Sequence, residues 1–298
     1  MNVCILMSTY NGEKYLREQL ESIYNQKDVD IELLVRDDGS TDKTIDILKE
    51  YESKSLLKWY SGCNLKSAKS FMDLLKNASD FDYYAFCDQD DYWEEDKLIR
   101  AISLLEENKS EKGKLYMSCL NVVDSNLNFL YKSYIPKTIN IQQEMIKNYA
   151  TGCTMVFDKK IKELVESYNC DYIAMHDSYV CRIALLNNSF IYLDQESRIK
   201  YRQHENNVLG MKNGFFSIWK NRFNRFIHSE CIASKTANSI LKCKNVYLKE
   251  EDKEFLNLLS NYKNNFKLKL KLLKLRIFEK EEKMTNFLFK IKLLFNKV

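Results

Sequence analysis

The 298-residue sequence has no Gly-x-Gly-x-x-Gly and no Gly-Lys-Ser/Thr, which excludes both the dinucleotide fingerprint and the phosphate loop. It holds only seven glycines and one proline, Pro136, which marks a simple break. Without a glycine-rich cradle, something other than a backbone loop must neutralise a diphosphate. No stretch approaches the roughly 18 uninterrupted apolar residues of a membrane-spanning helix. Residues 1–7 lack a basic n-region and run straight into strand-like sequence, so no signal peptide is expected and residence in the cytosol follows. The nine cysteines are odd in number, form no Cys-x-x-Cys pair and mostly lie in apolar surroundings. That pattern suits neither zinc nor a disulfide framework and predicts buried free thiols.

Hydrophobic residues at 45% and charged residues at 30% describe a globular chain well able to bury a core. The net charge of +4 hides an asymmetry. Residues 1–200 carry 25 Lys and Arg against 33 Asp and Glu, whereas residues 201–298 carry 21 against 9. Two segments with different tasks are implied.

The chain is organised around 83–93, an apolar run that ends in Asp88, Asp90 and Asp91. Residues 83–87 have the length and aromatic content of a buried strand, and 94–107 has helical periodicity. The acids therefore sit where a strand has ended and a helix has not begun, the place where open α/β sheets bind ligands. Asp88 and Asp90 can point the same way and offer hard oxygen ligands to Mg²⁺ or Mn²⁺. The alternative is a solvated acidic turn with Asp91 as helix N-cap.

Strands are predicted over 2–9, 31–36, 56–60 and 83–87, each followed by a helix, a pattern that gives a parallel sheet covered on both faces. Polar loops follow the first strand (Ser8-Thr9-Tyr10-Asn11-Gly12) and the second (Asp37-Asp38-Gly39-Ser40), and with the acid cluster they converge on one sheet edge. Gly39 permits a positive φ, and Ser40 or Thr41 can cap the next helix. Further strands are expected at 115–123 and 153–157, and a helix over 171–186 that opens on His176-Asp177. Tyr92 and Trp93 suit either sugar stacking or the core.

These three motifs, in this order and at these spacings, resemble the family 2 glycosyltransferases of the GT-A fold, a Rossmann-like mixed α/β sheet flanked by helices. Asn64-Leu65, Ala68-Lys69-Ser70-Phe71, Thr151-Gly152-Cys153, His176-Asp177 and Tyr201-Arg202-Gln203-His204 extend the resemblance toward the bacterial rhamnosyltransferase-like branch. It implies a catalytic domain over 1–210, with a nucleotide-sugar half (1–107) and an acceptor half (108–210). It implies that Ser8, Thr9 and Tyr10 line the base and ribose pocket, with Asp38, and Asp37 beside it, on the pyrimidine edge. Asn64 falls in the same donor pocket. Asp88 and Asp90 match the Asp-x-Asp that holds metal and diphosphate, Asp177 the catalytic base, and His204 a histidine that joins the metal shell. Lys69 and Arg202 can complement phosphate charge or be ordinary solvated cations. Lys66 stands where many relatives have glycine.

The implied activity is inverting transfer of a sugar, L-rhamnose from dTDP-rhamnose in this branch, from a dTDP or UDP sugar to a lipid-linked cell-surface polysaccharide. Such transfer needs a base near the acceptor hydroxyl and a cation on the leaving diphosphate. An Asp in a first helical turn also serves as a dipole partner. A second reading is a metal-dependent nucleotidyltransferase.

Residues 211–298 form a basic helical extension. Phe215, Trp219, Phe223 and Phe226 interleave with Lys220, Arg222 and Arg225, Phe266–Phe278 alternates Lys with Leu, and Phe287, Ile291 and Leu294 recur at helical spacing. A peripheral membrane contact and a bundle packing on the catalytic domain or in a homodimer both fit. Nucleic-acid binding through this region is a further alternative, opposed by the acidic first 200 residues and the lack of a recognised module.

Overall fold

The computed structural model describes residues 1–204, 231–243, 247–278 and 282–298, so the pattern around Phe215–Phe226 lies outside the described residues. The chain separates into two units. The first comprises Met1–Thr138, Ala150–Glu166 and Met175–His204, and the second Ile139–Tyr149, Ser167–Ala174 and Glu205–Val298.

In the first unit the predicted alternation is present: β1 (Asn2–Thr9), α1 (Leu16–Tyr24), β2 (Asp30–Asp37), α2 (Thr44–Ser53), β3 (Lys58–Ser61), α3 (Lys66–Asn77) and β4 (Tyr83–Cys87). All five β4 residues are buried, as a central strand covered on both faces requires. Burial of a side chain such as Phe86 contributes about 1.5–3 kcal/mol of transfer free energy. There follow β5 (Tyr92–Trp93), α4 (Lys97–Glu106), β6 (Lys114–Ser118), β7 (Asn121–Val123) and β8 (Phe129–Lys132). The described part of the unit then holds β9 (Val156–Asp158), β10 (Phe190–Asp194) and β11 (Ile199–Arg202). Seven strands form one mixed sheet in the order β10-β6-β9-β4-β1-β2-β3, and β5-β11-β7-β8 form a second.

The run 115–123, read as one strand, divides between the two sheets. β6 pairs with β10, and β7 pairs with β11 and β8. Residues 153–157 also divide, into a 3-10 turn (Gly152–Thr154) and β9. Because β9 runs antiparallel to β4, with Val156 opposite Ala85, this turn lies at the carboxyl edge of β4. The helix expected over 171–186 begins later, as α7 (His176–Leu186), after α6 (Lys159–Tyr168).

The second unit holds α5 (Ile141–Ile146), α8 (Ile232–Lys242), α9 (Glu250–Asn261), α10 (Phe266–Lys274) and α11 (Lys283–Leu294). Two segments expected in the catalytic half group with these helices, and their polar groups find partners there. Lys147 and Tyr149 bond Glu282 at 2.7 and 2.5 Å, and the Tyr172 amide donates to Ser239 Oγ at 3.0 Å. All nine cysteines are free, but the expectation of burial fails at Cys63, which is exposed on the loop after β3, and is met only in part at Cys170, Cys231 and Cys243, which are half-buried.

Candidate active site

Parallel pairing sets the site's geometry. Thr9 and Asp37 are register partners at the carboxyl ends of β1 and β2, while Met7 opposite Cys87 places Asp88 one step beyond β4 on the same edge. The loops are then tied to one another. Asp37 is buried and accepts from Thr9 Oγ1 at 3.1 Å, Ser40 Oγ at 2.5 Å and the Gly39 and Ser40 amides at 3.0 and 2.9 Å. It thus fixes its own turn, in which Gly39 has φ +84°. Ser40 is spent in that turn, and the N–H of Thr44 at the head of α2 goes to Asp42 instead, at 3.0 Å.

Asp38 is also buried, in an ion pair with Arg36 and accepting the Leu65 amide at 3.0 Å. Arg36 further reaches Asp73 at 3.0 Å and the Cys63 carbonyl at 3.1 Å. Asp38 therefore joins the second loop to the third. There Asn64 Oδ1 accepts the Lys66 amide, and Lys66 takes φ +62°, the left-handed conformation that glycine adopts without strain. Ser8 bonds Ser70 at 2.6 Å. Tyr10 is 49% exposed, and its amide and carbonyl both bond the Gln89 side chain, at 2.9 and 3.0 Å, joining the first loop to the acid cluster. A Cβ at Gly12 would collide with the Gln89 side-chain carboxamide.

Within the acid cluster the environments diverge. Asp88, Asp91 and Cys153 offer ligand atoms within 4.8 Å of one another. Burial, then Asp90 and Asp177, push Asp88 up to about 7. Asp91 is fully buried, raised by burial and by its acidic neighbours, and accepts the Arg202 amide at 3.1 Å. The N-cap reading of Asp91 is thus replaced by a buried anchor for β11. Behind it lies Lys97, buried against the Trp93 ring at 3.7 Å and lowered to about 8 by burial. Trp93 belongs to the core, and Tyr92 is half-buried beneath the Lys200 ammonium, which lies 4.8 Å from its ring centroid.

Asp90 keeps a partly open side chain, and its Oδ2 meets His204 Nε2 at 2.8 Å. Asp177 lies in the first turn of α7, near enough to Asp88 to raise its pKa. The structure thus pairs Asp90 with His204 and places Asp90 and Asp177 within electrostatic reach of Asp88. Arg202 is different from a phosphate-facing cation: it is buried, its Nε donating to the Asp90 carbonyl at 2.9 Å, Nη1 to Ser125 O at 2.6 Å, and Nη2 to Glu18. Lys69 remains exposed. Sequence reasoning missed Gln89, Lys97 and Arg36, whose roles depend on partners far along the chain; the one available signal was Gln89 standing inside the acid cluster.

The donor set fits a hard divalent cation. Asp90 and His204 meet at 2.8 Å, and the like-charge crowding that raises Asp88 is what a dication held by carboxylate and imidazole donors would relieve. Cys153 fits such an ion poorly, since its thiol is raised by burial and is a soft ligand.

An open, mostly parallel sheet whose carboxyl edge carries tied polar loops, clustered acids and a helix-borne aspartate has the architecture of an α/β protein that binds a nucleotide-like ligand there. The comparisons narrow this. The family model described as glycosyl transferase family 2 matches residues 4–165. The dTDP-rhamnosyl transferase RfbG of Shigella flexneri is 33% identical over 232 residues, 72% of this chain and 77% of that protein. The UDP-Glc:alpha-D-GlcNAc-diphosphoundecaprenol beta-1,3-glucosyltransferase WfgD of Escherichia coli is 27% identical over 188 residues, 63% and 71% of the two chains. Among solved structures, S. aureus TarS 1-349 in complex with UDP-GlcNAc aligns with a TM-score of 0.61 at 19% identity, covering 98% of this chain and 81% of that one. The chain belongs to glycosyl transferase family 2, has the GT-A fold and is a glycosyltransferase.

Proposed function

We propose that the protein transfers a sugar, L-rhamnose from dTDP-rhamnose, with inversion, onto a lipid-linked cell-surface polysaccharide at the cytoplasmic face of the membrane. The observation that supports the reading is the Asp90–His204 pair beside Asp88 at the carboxyl edge of β4, with Asp177 close enough to raise Asp88. The choice of donor is supported by the similarity to RfbG, a dTDP-rhamnosyl transferase, at 33% identity.

Asp88, Asp90 and His204 would hold Mn²⁺ or Mg²⁺, which when bound supplies Lewis-acid stabilisation of the departing diphosphate. The chain's own residues do the rest. Tyr10 and the backbone of the first loop, fixed by Gln89, border the donor pocket. Asp37 and Asp38 hold its floor by locking the loops that form it, and exposed Lys69 complements phosphate charge. Asp177 accepts the acceptor hydroxyl's proton as that oxygen attacks the sugar's anomeric carbon, a contribution of about 10²–10⁴-fold.

The test is release of nucleoside diphosphate from a panel of dTDP and UDP sugars, with and without lipid-linked acceptor. Acceptor-dependent release from dTDP-rhamnose is expected; release from another donor alone would overturn the donor assignment. Pyrophosphate release from nucleoside triphosphates would instead favour the nucleotidyltransferase reading.

A further inference from the structure

The outer face of the second unit's last two helices is built in reverse of a core-packing helix. On α11 and its C-cap residue Phe295, Met284, Phe287, Leu288, Leu294 and Phe295 are exposed and Ile291 is half-buried, whereas Phe289 and Leu293 form the inward face. At 3.6 residues per turn the six outward residues fall on one stripe. α10 repeats the pattern with Phe266, 72% exposed, Leu270 and half-buried Leu273, opposite buried Leu272. The two helices meet where Lys269 Nζ donates to the Leu294 carbonyl and Asn296 Oδ1, both at 3.0 Å.

Charge distribution identifies the partner. By helical position, Lys283 and Lys290 border one side of the α11 stripe and Lys292 the other, while Lys267 and Lys274 border the Phe266–Leu270 face. The two helices carry seven lysines and no Asp or Glu, and Arg276 and Lys297 follow directly. An apolar stripe edged on both sides by lysine suits a helix lying in the headgroup region of an anionic bilayer. Symmetric pairing with a second copy would set these lysines against their equivalents. A polynucleotide would satisfy the charge and leave the aliphatic residues in water.

We infer that the α10–α11 face docks the protein on an anionic lipid surface. This deepens the reading of a membrane-held acceptor, on which it rests for its purpose alone; the readout needs neither donor nor acceptor.

The experiment is co-sedimentation of the full chain with vesicles of phosphatidylcholine, with and without phosphatidylglycerol, at low and high salt. The chain is expected to bind only the anionic vesicles and to release as salt rises. Phe287→Ser with Leu288→Ser should weaken partitioning at least about tenfold. Each of Lys283→Gln, Lys290→Gln and Lys292→Gln should weaken it about fivefold. Thermal melting of these surface variants should match the parent, which separates lost docking from lost folding. Indifference of the parent to anionic lipid, or unweakened binding by folded variants, would overturn the inference. So would a dimer, or a polynucleotide complex preferred over vesicles, that the same substitutions dissolve. Vesicle binding without any sugar transfer would defeat the enzymatic reading and leave this one standing.

Discussion

Arg202 lies beneath Asp90. Its Nε donates to the Asp90 carbonyl at 2.9 Å while its own amide donates to the Asp91 carboxylate at 3.1 Å, so β11 and the acid turn are one clamped unit. His204 follows two residues later and reaches the Asp90 side chain from the same strand end. The arginine is therefore a positioning residue for the acid cluster.

Arg202→Ala removes several charge-assisted hydrogen bonds from a buried site. It should cost about 2–4 kcal/mol of stability, read as a lower urea midpoint. Arg202→Lys should recover little, because an ammonium cannot reproduce the planar fork that spans Asp90, Ser125 and Glu18. Full recovery by lysine would show that charge alone matters there.

Asp177→Asn keeps the shape of the first turn of α7 and removes the proposed base. kcat should fall about 10²–10⁴-fold, while donor binding measured by calorimetry stays within about a factor of two of the parent. Equal losses in binding and turnover would reassign Asp177 to holding the site together.

His176 stacks on Phe71 at 4.0 Å and meets Phe86 edge-on at 4.8 Å, with neither ring nitrogen partnered among the described residues. Burial lowers its pKa from 6.5 to about 3. Between those values the unfolded chain binds a proton that the folded chain refuses, so this group's stabilisation is lost as pH falls from about 6.5 toward 3. The loss approaches about 1.4 kcal/mol per pH unit. Asp88 acts in the opposite sense: its folded pKa of about 7 lies above the ordinary 3.8, so its contribution is lost as pH rises through that window. His176→Phe isolates the first effect. Relative to the parent, the variant should gain stability steadily from pH 6 to pH 4, measured by denaturant titration at each pH. A pH-independent difference would contradict the neutral buried imidazole.

The strands from β1 to β4 were legible because each is an apolar run closed by polar turn residues, and local pattern suffices where a strand is buried on both faces. The division of 115–123 was not legible. The sequence stays apolar while the chain crosses from one sheet to the other, with Cys119 and Leu120 buried at the crossing. Asp88, Asp90 and Asp177 could be nominated from motifs, whereas the burial of Arg202 is decided by Glu18, which is 184 residues away in sequence. Lys97 was hidden for a similar reason: nothing nearby in its helix announces that a lysine will lie under Trp93 and behind Asp91.

The central claim is that Asp88 and Asp90 hold the donor diphosphate through a divalent cation. Its most direct test is a calorimetric titration of dTDP into the protein with and without Mn²⁺, repeated with Asp90→Ala. The account predicts binding that requires the cation, weakened at least about 100-fold, or about 2.7 kcal/mol, in the variant. Equal affinity without Mn²⁺, or an Asp90→Ala protein that binds as the parent does, would contradict it.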